Sequence, residues 1–501
     1  MEQDKNAVDP FSILDLHQRK REKKEIPAYF QDLNLETVLE TLSVNGGKST
    51  LAYYRYLPET PEDEAYRREV YKDVKRDDIN AALEAFVAQT ADREELKRKK
   101  ERAPAGLQQA VWLLREEEAY CSACERLAHA LEQAAPSSLG MRRFLDILRD
   151  LIGGEAFQRM RRQVYAAMNE IRRVRMVITY EKNRVRVELK ETGHGEEPLP
   201  KQDAKPLQNP FSAVAALTEM EKECLEILRK KKPELFQAML ETSGRFEQYE
   251  NPIVARFEKE IKFYLSYCAL QKSLERKGFS FSAPDVSPDR PLEGKGLFDL
   301  ALACVSVNSG KKVIANDFSY ADGERFFVLT GPNQGGKTTF ARSLGQLVYF
   351  PRIGLDVPAR EANVPFFPDI QTHFSVEESV ETGRGKLKEE LTRLAPMMEA
   401  NRKGTFVVIN ELFTTAANYD AQIMGQRVLK HFIDLGCRGI YVTHLRELAS
   451  AHEQVASLRA MLDENKRPTY RIQRGEAAEY AGAEKQVEKY RLTYPQLKER
   501  L

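Results

Sequence analysis

The chain has 501 residues, 42% hydrophobic and 31% charged, with 77 Lys and Arg against 76 Asp and Glu. At roughly 100–200 residues per domain this length suggests two to four domains, and a net charge of +1 excludes a uniformly basic nucleic-acid coat, so any such contact must be regional. The mean hydropathy is −0.53, the longest apolar stretch (Leu297 to Val307) is interrupted by Asp299, and MEQDKNAVDPFSILDLHQRKREKKE lacks the apolar core of a signal peptide, which predicts a soluble cytoplasmic protein with no membrane span.

Residues 1–25 read as a polar N-terminal arm ending in RKREKKE. From Ile26 to about Met168, apolar residues recur at three- and four-residue intervals, as in LETVLETLS and LQQAVWLLREEEAYCSACERLAHALEQ, predicting helices broken at Gly46-Gly47 and at Pro58 to Pro61. Cys121 and Cys124 lie inside one such run, with no second ligand pair nearby. They are expected to pack on a helix face rather than to hold metal.

The period then changes to two. Val174 to Leu189 alternates on either side of Glu181-Lys182-Asn183 and reads as a β-hairpin, followed by a Pro- and Gly-containing linker from Thr192 to Asn209. Helical spacing returns from Val214 to Lys277 and stops at Gly278. From Lys295 onward strand-like and helix-like segments alternate, with Phe326 to Thr330, Thr405 to Ile409 and Gly439 to Thr443 expected as buried parallel strands.

Gly331-Pro332-Asn333-Gln334-Gly335-Gly336-Lys337-Thr338 satisfies GxxxxGK[ST], with FFVLT before it as a strand and TTFARSLGQLVYF after it as a helix. In such a loop the backbone N–H groups face phosphate oxygens, the lysine reaches the β and γ phosphates, and the hydroxyl ligates Mg²⁺. The predicted ligand is therefore ATP with Mg²⁺, bound by residues 331–338 and Thr339. Glu411 follows an apolar strand and can orient and deprotonate water, Asn410 can meet the metal only through a water and without charge, and His444 ends a third strand where an imidazole can reach the γ-phosphate.

GPNQGGKTTFARSLGQ, INELFTTAANYDA and VTHLRELA, in that order, resemble the ATPase domain of the MutS family of DNA mismatch-repair proteins. Upstream, FYLSYCALQKSLERKGFSFSAPDV resembles the family's lever helix, KKVIANDFSY the strand before the phosphate loop and, more weakly, FQDLNLETVLETLS the start of its helical core. The resemblance implies an α/β P-loop (ABC-like) ATPase domain over 295–501, following a mainly helical core and lever over 26–294. A reduced clamp-like β insertion would occupy about 170–212.

It also implies that Glu411 is the catalytic carboxylate and His444 the switch histidine, in a homodimer whose partner completes each ATP site. The corresponding partner-facing residues are Gly383, Gly385, Lys386, Glu390 and Asp420, with Gly385 standing where the family has serine. The chain begins close to the core, so direct mismatch reading is not expected, and Phe246-Glu247 is a mid-chain coincidence with the family's recognition motif.

Between Arg142 and Glu191 there are thirteen Lys and Arg against seven Asp and Glu. Arg172, Arg173, Arg175, Lys182, Arg184 and Arg186 are candidate contacts to the backbone of duplex or branched DNA, a solvated face with local ion pairs being the alternative. The expected function is an ATP-switched dimeric clamp in DNA repair or recombination. Its alternatives are a weakly hydrolysing nucleotide-switched scaffold and a P-loop ATPase acting on RNA or a ribonucleoprotein.

Overall fold

The computed structural model describes residues 11–17, 26–103, 107–172, 174–181, 184–191, 249–286, 289–310, 312–375, 386–400 and 402–476, with a few isolated positions at 226–237 and at 498. Much of the polar arm, the linker, most of 214–248 and Phe246-Glu247 lie outside them. The chain divides into two compact units, Met1–Ile13 with Lys72–Lys262, and Leu14–Tyr71 with Phe263–Leu501. Among the described residues no helix is long and apolar enough to cross a membrane.

The breaks read from the sequence occur where expected. After α1 (Tyr29–Asp32), α2 (Leu35–Gly46) ends at Gly47, whose φ of +77° is readily adopted only without a Cβ, and α3 (Leu51–Tyr54) is short. Pro61 opens α4 (Pro61–Val74), where its missing N–H costs nothing.

The first unit is built of α5 (Asp77–Arg102), α6 (Leu107–Ala134), α7 (Leu139–Gly153) and α8 (Glu155–Arg172). Ser138 caps α7 by accepting from the Met141 N–H, and its own N–H donates to Asp73 at 2.7 Å. The core centres on Phe144, whose ring stacks on Phe257 at 3.5 Å between centroids. Cys121 and Cys124 are buried on α6, and burial pushes both thiols up to about 12. The hairpin read from the alternation is present as β1 (Val174–Glu181) and β2 (Arg184–Glu191), antiparallel, with Glu181 opposite Arg184.

The helix α9 (Pro252–Glu275) contains the cut between the units and leads to β3 (Glu293–Leu297), α10 (Leu300–Ser309), β4 (Asn316–Ser319), β5 (Phe326–Thr330) and α11 (Lys337–Arg352). Then follow β6 (Glu361–Asn363), β7 (Ile370–Phe374), α12 (Lys386–Glu399), β8 (Phe406–Asn410), α13 (Asn418–Asp434), β9 (Arg438–Val442), β10 (Val455–Leu462) and β11 (Pro468–Arg474). A six-stranded sheet runs β11-β10-β5-β9-β8-β7, parallel except for β11, and a small antiparallel sheet runs β4-β3-β6.

The three expected parallel strands are β5, β8 and β9. All of β5 and β8 is buried, as befits strands covered on both faces. Gly439 on β9 fits tightly between its neighbours: a Cβ there would lie 2.0 Å from the Val407 carbonyl oxygen, while the Tyr320 hydroxyl donates to the Gly439 carbonyl at 2.8 Å. Register does the rest, since Leu329 and Asn410 both pair with Val442. The segments leaving β5, β8 and β9 therefore emerge side by side at the carboxyl edge, where open parallel sheets bind ligands.

Candidate functional site

That edge lines a cavity of about 800 Å³ containing Asn333 to Phe340, Glu411 and His444. Leaving β5, the chain turns through Gly331 (φ +135°), packed so closely that a Cβ would sit 2.9 Å from that of Ala460, and enters α11 from Gly336 (φ +88°). The expected loop residues thus form one strand-to-helix turn. The N–H groups of Lys337, Thr338 and Thr339 stand in the first turn of α11, where unpaired donors and the helix dipole favour an anion.

Lys337 is buried, and its Nζ donates to the carbonyls of Gly331 at 3.0 Å and Pro332 at 2.9 Å. Burial lowers its pKa, opposed by the Glu411 charge. Thr338 Oγ1 donates to Asn410 Oδ1 at 3.0 Å, so the first helical hydroxyl and the end of β8 meet. Glu411 Oε1 lies 3.2 Å from His444 Nε2. Glu411 adopts φ +55°, an uncommon value for a residue with a Cβ, and its N–H donates to the Val442 carbonyl. The bend turns the backbone at the end of β8.

Of the other expected residues, Glu390 on α12 is buried, and its Oε2 accepts from the Phe413 N–H at 3.2 Å, bracing the bend after Glu411 from beneath. Asp420 is exposed in the first turn of α13. Lys386 begins α12, but its side chain, Gly383 and Gly385 lie outside the described residues. So do Arg173, Lys182 and the side chains of Arg172, Arg175, Arg184 and Arg186.

The sequence reading missed the other wall of the cavity. Phe298, Asp299, Leu302, Lys312, Ile314, Asn316 and Tyr470 line it. Asn316 Nδ2 donates to the Tyr470 carbonyl and its Oδ1 accepts from the Ile472 N–H, fixing β4 against β11. Tyr470 is half-exposed at φ +59° beside Gly336. Lys312, Ile314 and Asn316 belong to KKVIANDFSY, read only as the strand before the phosphate loop, and no motif marks Phe298, Asp299, Leu302 or Tyr470.

Residues 327–485 match MutS domain V. This stretch of the chain is therefore a MutS-family domain. A protein described as DNA mismatch repair protein MutS from Thermosipho melanesiensis is 28% identical over 149 residues, 29% of this chain and 18% of that protein. Another of the same description, from Fervidobacterium nodosum, is 23% identical over 274 residues, 52% of this chain and 32% of that protein. DNA mismatch repair protein MSH6 of Arabidopsis thaliana is 30% identical over 241 residues, 44% and 18% respectively. The matches thus span between about a fifth and a third of these MutS relatives' own length.

Proposed function

We propose that the chain is a MutS-type ATPase that binds DNA and uses ATP to switch a dimeric clamp in repair or recombination. The observation that carries this reading is the shared sheet edge that gathers Lys337, Thr338, Glu411 and His444 around one cavity. Lys337 rests on two neutral carbonyls, and phosphate oxygens are its stronger partners, so the lysine exchanges one set for the other when ATP enters. The Thr338 hydroxyl suits Mg²⁺, and the Asn410 amide oxygen 3.0 Å from it suits a water on that ion, provided the phosphates supply the negative charge. The ion would neutralise charge on those phosphates. Glu411 holds the attacking water and takes its proton, with His444 fixing the carboxylate by sharing Oε1.

In this reading 295–501 is the ATPase domain and 26–294 the core and lever, with a clamp insertion at 170–212 presenting Arg172, Arg173, Arg175, Lys182, Arg184 and Arg186 to the backbone of duplex or branched DNA. Gly383, Gly385, Lys386 and the exposed Asp420 face a second copy, while Glu390 acts within its own subunit under Phe413. A second reading, a slowly hydrolysing nucleotide switch, draws support from the neutral Asn410 at the metal position.

The test is Lys337→Ala, with ATP affinity and turnover measured with and without homoduplex, mismatched and branched DNA. ATP binding should fall by at least tenfold and turnover further. Unchanged binding removes the nucleotide assignment, and wild-type turnover indifferent to every DNA removes the clamp.

A further inference from the structure

Two further cavities flank β3, the second sharing Phe298 and Lys312 with the cavity already described, and they treat charge in opposite ways. One, of about 510 Å³, is lined by Arg290, Lys295 and Arg474 over Phe318 and Phe327. Each cation there has a carboxylate: Asp285 at 3.0 Å, Glu361 at 2.7 Å and Glu324 at 2.6 Å respectively. The other, of about 500 Å³, is lined by Lys277, Lys312 and Arg360, and no carboxylate is among its lining residues.

The backbone fixes all three positions. Lys277 lies in the turn after α9, before Gly278 (φ +91°), where the Phe279 N–H returns to the Leu274 carbonyl. Lys312 follows the stop of α10 at Gly310 (φ +66°). The Arg360 N–H donates to the Lys295 carbonyl of β3.

Nearby carboxylates are engaged elsewhere: Glu275 by the Gln271 amide, Asp317 by the Gly296 N–H, and Glu361 by Lys295. None of the three cations forms an ion pair among the described residues. The half-buried Phe279 ring, 4.9 Å from that of Phe298, completes the wall. Cations beside a partly exposed aromatic ring can hold a phosphate and stack a base.

We propose that this cavity is a second site, for a nucleotide unit, with its phosphate on Lys277, Lys312 and Arg360 and its base against Phe279. The unit is either part of a single strand or a free nucleotide, and the two arms of the experiment separate these sources. Lys277 and Arg360 lie outside the larger cavity, so the paired variant Lys277→Ala, Arg360→Ala leaves that cavity intact.

In the first arm, fluorescein-labelled oligothymidine is titrated onto the full chain with the larger cavity saturated by a nonhydrolysable ATP analogue. If the site takes a strand, affinity falls roughly tenfold in the variant and the log–log salt slope becomes shallower by about 1.4, two cations' worth. In the second, equilibrium dialysis counts bound ATP. If the site takes free nucleotide, the ratio falls from two per chain to one. Lys277→Arg with Arg360→Lys restores either signal, and Arg290→Ala, in the charge-paired cavity, changes neither. Unchanged strand binding together with an unchanged ratio overturns the proposal, and leaves the Lys337 experiment unaffected.

Discussion

Glu411, in the bend just after β8, and Glu117, inside α6, are both carboxylates, and the contrast between them separates the two units. Glu411 stands at a strand end, partly exposed, beside His444 and a cavity. Glu117 is fully buried within α6, and neither of its oxygens finds a hydrogen-bond partner among the described residues. Burial, followed by the neighbouring Glu116, pushes its pKa up to about 8. A shifted pKa in a helical core is thus a packing cost. A carboxylate at the carboxyl edge of parallel strands, next to a phosphate-type loop, is available for chemistry.

The sharpest way to break that comparison is Glu411→Gln. ATP turnover should fall by about 10²–10⁴-fold while nucleotide affinity stays close to wild type, as measured by steady-state hydrolysis and by equilibrium binding. A variant that hydrolyses normally would put Glu411 in the same class as Glu117. Phe144→Ala in the helical unit should cost about 3–5 kcal/mol through loss of the Phe257 stack, read by denaturant unfolding.

Glu117→Gln tests the packing side. The folded carboxyl holds its proton above the ordinary 4.5, so wild-type stability should decline from about pH 4.5 to about pH 8 and then level off. The slope is at most about 1.4 kcal/mol per pH unit. The glutamine variant should lose this decline and gain on wild type as pH rises; parallel stability curves would contradict the assignment. The smallest effect expected is Asn410→Asp, a few-fold tighter magnesium dependence of hydrolysis, since it adds one negative charge beside Thr338.

The sequence made the phosphate loop, β5, β8, β9 and the hairpin legible, because each is carried by local spacing: a fixed glycine pattern, unbroken apolar runs and strict alternation. It was silent on β3, whose EGKGL has neither apolar nor alternating character, and on β7, where His373 interrupts a short run. Those strands form because partners distant in sequence cover them. The same reason hides Asn316 and Tyr470, which meet at the cavity through pairings of long sequence separation. Glu390 was legible as a residue of interest, but its burial under Phe413 was not.

The tight fit at Gly439 has a consequence for variation in this protein. Even a methyl group at that position would strike the Val407 carbonyl, so β8 and β9 would have to separate and carry apart the segments bearing Glu411 and His444. A substitution well removed from the cavity would then silence it without touching any residue that lines it. Random mutagenesis screened for lost hydrolysis should recover Gly439 alongside Lys337, although only the second would ever meet a phosphate.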